Sequence, residues 1–86
     1  MVNLLLGDCL ELLPTSADDS VDMLLVDLPY GTTACKWDSI IPLEKLWEQY
    51  NRVCKQSAAM VFTAAQPFTA ILAASNIQNL KYEWIW

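Results

Sequence analysis

The stretch Val21-Asp22-Met23-Leu24-Leu25-Val26-Asp27-Leu28-Pro29-Tyr30-Gly31 decides the reading of the chain. A run so dense in Val, Leu and Met, closed by turn residues, predicts a strand buried on both faces, as in a parallel sheet covered by helices. Asp27 then stands at the carboxyl end of a central strand, where the loops of open α/β sheets part to form a ligand crevice. Pro29 fixes its own φ and pushes Leu28 out of the α region, so the Leu28 carbonyl is held in extended backbone with no ladder partner. A carboxylate, a free carbonyl and the Tyr30 ring leave the sheet together.

That grouping suits attack by an exocyclic amine of a nucleobase. Such an amine is a poor nucleophile because its lone pair is delocalised into the ring. Two acceptors gripping its two N–H bonds localise the pair toward an electrophile, and their value lies in being aimed in advance at the developing charge. Asp27 and the Leu28 carbonyl are two such acceptors, and Tyr30 offers a face on which an extruded base can stack. The same residues also describe a plain strand-to-turn exit, with Asp27 capping a loop and Tyr30 covering the core edge.

Asp27-Leu28-Pro29-Tyr30 resembles the Asp-Pro-Pro-Tyr signature of DNA amino-methyltransferases, which move a methyl group from S-adenosylmethionine to adenine N6 or cytosine N4. Leu4-Leu5-Leu6-Gly7-Asp8-Cys9-Leu10-Glu11-Leu12-Leu13, the spacing to Ser20-Val21-Asp22, and Gly31-Thr32-Thr33-Ala34-Cys35-Lys36-Trp37-Asp38 are similar to the permuted subgroup found in phages and restriction systems. Leu28 stands where Pro is usual. The family uses the backbone carbonyl there, so the acceptor survives.

The resemblance implies a partial Rossmann-like methyltransferase sheet, α/β, of mostly parallel strands with flanking helices. It implies Asp27, Leu28, Pro29 and Tyr30 as the catalytic set, Asp8 and Cys9 beside S-adenosylmethionine, double-stranded DNA with a flipped base as substrate, and a cytoplasmic setting in a bacterial or phage-infected cell. It also implies that residues 1–86 are the N-terminal catalytic part of a larger domain, because only Gly7 and Gly31 are glycines and neither belongs to a segment of the kind that wraps the cofactor. The target-recognition region is likewise outside the chain. On that view two central strand edges stay unpaired, which invites pairing with another chain or self-association, and the 86-mer alone binds the cofactor negligibly.

Composition narrows the alternatives. Eighty-six residues make one small domain, inefficient at burying surface. Cys9, Cys35 and Cys54 are odd in number and lack C-x-x-C spacing, so they read as reduced thiols, and with no His a zinc site is not expected. No signal segment or membrane-length apolar run is present, and no G-x-G-x-x-G follows a strand, which leaves a nicotinamide-dependent Rossmann enzyme poorly supported. Five basic residues against ten acidic ones give a net charge of -5, the opposite of a phosphate-binding surface. DNA contact would then fall to a separate recognition segment. Two other readings remain, a remnant that acts only by binding a partner chain, and methyl transfer to an RNA base.

In chain order, Val2 to Leu6 predicts a strand, and Asp8 with Glu11 has the spacing of a capping box opening a short helix lined by Leu10, Leu12 and Leu13 and bounded by Pro14. Thr15 to Ser20 is a surface turn. Lys36 and Trp37 either contact phosphate or base, or pack the loop. Pro42 opens a helix whose apolar face is Leu43, Leu46, Trp47, Tyr50, Val53 and Cys54, with Glu44, Lys45, Glu48, Asn51, Arg52 and Lys55 opposite. Ala58 to Thr63 is the next parallel strand, Pro67 introduces a helix from Phe68 to about Ser75, and Leu80 to Trp86 alternates as a last strand. Thr63 and Gln66 end the second of these strands, where they either line the pocket or bond the loop.

Overall fold

The computed structural model describes residues 2–31 and 38–85. The readings placed on Thr32, Thr33, Lys36, Trp37 and Trp86 lie outside these residues. The chain is a small α/β unit in the order α1 (Cys9–Leu12), a 3₁₀ turn (Leu13–Thr15), β1 (Val21–Asp27), α2 (Leu43–Val53), β2 (Cys54–Thr63), α3 (Phe68–Ser75) and a 3₁₀ turn (Ile77–Asn79). The strands β1 and β2 form a two-stranded parallel sheet, joined by a crossover that contains α2, as parallel pairing requires. From Met23↔Ala59 to Asp27↔Thr63 the register is regular, after an irregularity between Val21 and Met23.

The core is small. Leu28, Leu46, Tyr50 and Phe68 are buried together, and Leu10, Leu24, Val26, Trp47, Met60 and Phe62 pack around them. Leu46, Tyr50 and Val53 are the buried residues of α2, spaced by four and three as one stripe of a 3.6-residue period. Aromatic edges fill the space between helix and sheet: Trp47 meets Phe62 edge-on with centroids 5.2 Å apart and Tyr50 at 6.1 Å. Trp47 also donates from Nε1 to Ser75 Oγ at 2.8 Å, tying α2 to α3.

Four expectations are corrected. First, β1 is not covered on both faces. Leu24 and Val26 face the helices, while Met23 and Leu25 are 57% and 70% exposed and Val61 beside them is 42% exposed, because the core gathers the helices over one side of the sheet. Second, Val2 to Leu6 is not a strand, and Leu4 and Leu6 are almost fully exposed; among the described residues no strand offers that segment a ladder, and an apolar pattern alone cannot supply one. Third, 80–85 is likewise irregular, with Tyr82, Trp84 and Ile85 exposed, for the same reason. Fourth, β2 begins at Cys54 and not at Ala58, so the buried Cys54 belongs to the strand and not to the face of α2.

The polar assignment of Arg52 also changes. Its guanidinium donates to Ser16 O (2.8 Å), Leu13 O (2.8 Å), Gln49 Oε1 (3.1 and 3.0 Å) and Asp18 Oδ1 (2.5 Å). Rather than facing solvent, it clamps the turn between α1 and β1 onto α2. Two backbone bonds finish the joint, Asp19 N to Arg52 O and Ser20 N to Val53 O. The polar Thr15–Ser20 segment is thereby a fixed surface turn that feeds β1 into place.

Candidate functional site

Asp27 is the last residue of β1 and Thr63 the last of β2, and the two are register partners. Parallel pairing therefore delivers both side chains to the carboxyl ends of neighbouring strands. Thr63 Oγ1 donates to Asp27 Oδ1 at 2.6 Å. The Tyr30 hydroxyl lies 3.0 Å from Thr63 Oγ1 and 3.3 Å from Asp27 Oδ1. With one proton to give, Tyr30 donates best to Thr63, which passes the polarisation on to the carboxylate.

Both contacts fall on Oδ1. Among the described residues Asp27 Oδ2 has no hydrogen-bond partner, and neither has the Leu28 carbonyl. Two acceptors on adjacent residues are thus unspent at the mouth of the sheet, and Asp27 itself is exposed.

The loop carrying them is held from beneath. The Leu28 side chain is 7% exposed and sits in the core with Leu46, Tyr50 and Phe68. Burial of a side chain this size contributes about 2 kcal/mol and anchors the carbonyl that Pro29 keeps extended. The Tyr30 ring stacks on Phe68, centroids 5.3 Å apart and planes 19° from parallel, so one of its faces is spent on α3 and a base could use only the other. Gly31 has φ +74°, and a Cβ there would come within 2.8 Å of Ile40 Cγ1; no larger residue suits this exit. Its N–H donates to Oδ1 of the buried Asp38 at 3.0 Å.

Asp8 and Cys9 stand apart from this hydrogen-bonded group. Asp8 is the N-cap of α1, accepting from Leu10 N at 2.9 Å through Oδ1, while Glu11 makes no side-chain bond back, so the expected capping box is one-sided among the described residues. Cys9 is half-buried against the core. It lines a shallow recess of about 220 Å³ with Leu5, Gly7, Leu12, Leu13 and Ser16. Burial, with the Asp8 carboxylate alongside, pushes the Cys9 thiol up, and burial does the same to Cys54; both are poor thiolates. Among the described residues no group of His, Cys, Asp and Glu could hold a metal ion, and no helix is long and apolar enough to cross a membrane.

The structure thus brings Asp27, Leu28 and Tyr30 together with Thr63, which the sequence offers either as a pocket-lining residue or as a loop hydrogen bonder and which bonds Asp27 and Tyr30. Gln66 serves its own helix, accepting from Ala70 N at 3.3 Å. No family model, curated protein or solved structure matches the chain.

Proposed function

We propose that this chain carries the acceptor-amine end of an S-adenosylmethionine-dependent DNA amino-methyltransferase, acting on adenine N6 or cytosine N4. One observation carries the reading: Asp27 Oδ2 and the Leu28 carbonyl, on adjacent residues at the carboxyl end of a parallel sheet beside Tyr30, are acceptors without a partner among the described residues. An aromatic amine has two N–H bonds, and one acceptor for each pulls its lone pair out of the ring. The fold reading that accompanies this is a partial Rossmann-like methyltransferase sheet.

The cofactor supplies an electrophilic methyl group. Near α1 the described residues fit its adenine end, since Asp8 keeps Oδ2 available for an amine beside the apolar recess at Gly7 and Cys9. On the acceptor side, Asp27 Oδ2 and the Leu28 carbonyl hold the two amine protons, Tyr30 presents the ring face not covered by Phe68, and Pro29 keeps the carbonyl direction fixed. In transfer the methyl carbon–sulfur bond of the sulfonium would break as the nitrogen–carbon bond forms, leaving a neutral thioether and passing the positive charge to the amine nitrogen. Asp27 is placed to stabilise that charge and to take the surplus proton.

Grip on DNA must come from elsewhere. Of the five basic residues, Arg52 and Lys55 are paired with Asp18 and Asp22, so the described surface lacks a cationic stripe for phosphates. An RNA base presents the same amine to the same acceptors. A role limited to docking on another protein draws support from the exposed apolar side of the sheet.

The test is to express the gene together with its flanking reading frames in a host lacking DNA methylation and to quantify methylated nucleosides by mass spectrometry. N6-methyldeoxyadenosine or N4-methyldeoxycytidine should accumulate with Asp27 and fall at least a thousandfold with Asp27→Ala. Methylation retained by Asp27→Ala, or absent from the parent, removes the proposal.

A further inference from the structure

Resting on the reading above, we infer that Thr63 is a positioning residue for the Asp27 carboxylate. It pins Oδ1 so that Oδ2 alone faces the acceptor amine, and Tyr30 reinforces it through its hydroxyl. The geometry is specific. A carboxylate on a strand end turns about its terminal torsion, whose preference is broad and roughly two-fold, so an untethered Asp27 would present either oxygen or neither. Thr63 Oγ1 at 2.6 Å removes that freedom from the side of Oδ1, and it does so from a different strand, 36 residues away in sequence. Thr63 in turn has its rotamer set by the Tyr30 hydroxyl at 3.0 Å, and the Tyr30 ring is fixed by its stack on Phe68.

Three elements thereby converge on one oxygen atom: α3 through Phe68, β2 through Thr63, and the loop after β1 through Tyr30. The other oxygen is left without a partner among the described residues. Thr63 donates to Oδ1 at 2.6 Å, and the Tyr30 hydroxyl, which donates to Thr63, lies 3.3 Å from the same oxygen. The role of Tyr30 becomes twofold, a ring for the base and a hydroxyl for the carboxylate.

The test measures steady-state methyl transfer by the full gene product, expressed with its flanking frames, for the parent, Thr63→Val, Thr63→Ser and Tyr30→Phe. Thr63→Val keeps the shape and removes the donor. It should lower kcat about tenfold, the factor expected when one charge-assisted hydrogen bond is lost, with KM for S-adenosylmethionine within twofold of the parent. Thr63→Ser should restore kcat to within threefold, which a purely packing role for the methyl group would not predict. Tyr30→Phe, which keeps the ring and its stack, should lower kcat about threefold and serves as the second probe if Thr63→Val fails to fold. Parental kcat in Thr63→Val, or in Tyr30→Phe where that probe replaces it, overturns the positioning role and leaves Asp27 in place. A parent without methyl transfer overturns the functional reading and this inference with it.

Discussion

Burial in the core pushes the Tyr50 hydroxyl up to about 12 from its usual 10.0, with Cys9 and Cys54 close enough to oppose its ionisation further. The folded protein therefore holds this proton more tightly than the unfolded chain. Stability from that source is complete below about pH 10 and is lost as pH rises toward 12, to the order of 3 kcal/mol. The thiols of Cys9 and Cys54 are raised for the same reason and act in the same direction, starting near pH 9. Melting temperature measured from pH 8 to 12 should fall through this window, and Tyr50→Phe should flatten the part above pH 10. Residues also show where sequence reading stops. The place of Asp27 at a strand end followed from the apolar run before it and Pro29 after it. Its bond to Thr63 did not, because that contact depends on the register between strands far apart in the chain, and no local pattern encodes register.

Among the elements, α2 was the most legible. Pro42 gave its start, and three- and four-residue apolar steps gave its buried stripe. Arg52 was misplaced by the same logic, since helical periodicity says only that a residue lies off the apolar stripe and not that solvent is there. Three of its hydrogen bonds hold the Leu13–Asp18 turn against the last turn of α2, and two to Gln49 fix the guanidinium on the helix. Arg52→Ala should cost about 1–3 kcal/mol in a urea transition, since two backbone carbonyls lose a charged donor. Asp18→Ala should cost less than about 1 kcal/mol, because that carboxylate is 71% exposed and water screens the pair. Arg52→Lys should recover little of the loss, for an ammonium cannot span carbonyls on two sides as the planar guanidinium does. The segments at 2–6 and 80–85 show the converse error. Both carry strand-like patterns, but a strand exists only where another offers its edge, and a neighbour is not a property of the segment itself.

At the scale of the whole molecule, the helices lie over one side of the sheet, and among the described residues no helix or strand covers the other. Composition identified β1 as apolar; it could not say whether a second layer was there to cover it. Met23, Leu25 and Val61 form a strip exposed to water, with Leu4, Leu6, Trp84 and Ile85 exposed elsewhere. Sedimentation of the 9.7 kDa chain should therefore show species heavier than a monomer. Met23→Thr with Leu25→Thr should shift the distribution to monomer while leaving the melting temperature within about 3 °C, since threonine keeps strand propensity and no buried contact is removed. Finally, the rung that joins Asp27 to Thr63 is the last of the ladder, so it doubles as a proofreader of strand alignment. A slip of one residue would set Phe62 or Ala64 opposite the carboxylate, and neither side chain has a hydroxyl to offer. The same slip would turn Met60 and Phe62 away from the helices, so the bond between Asp27 and Thr63 and the core demand one and the same alignment.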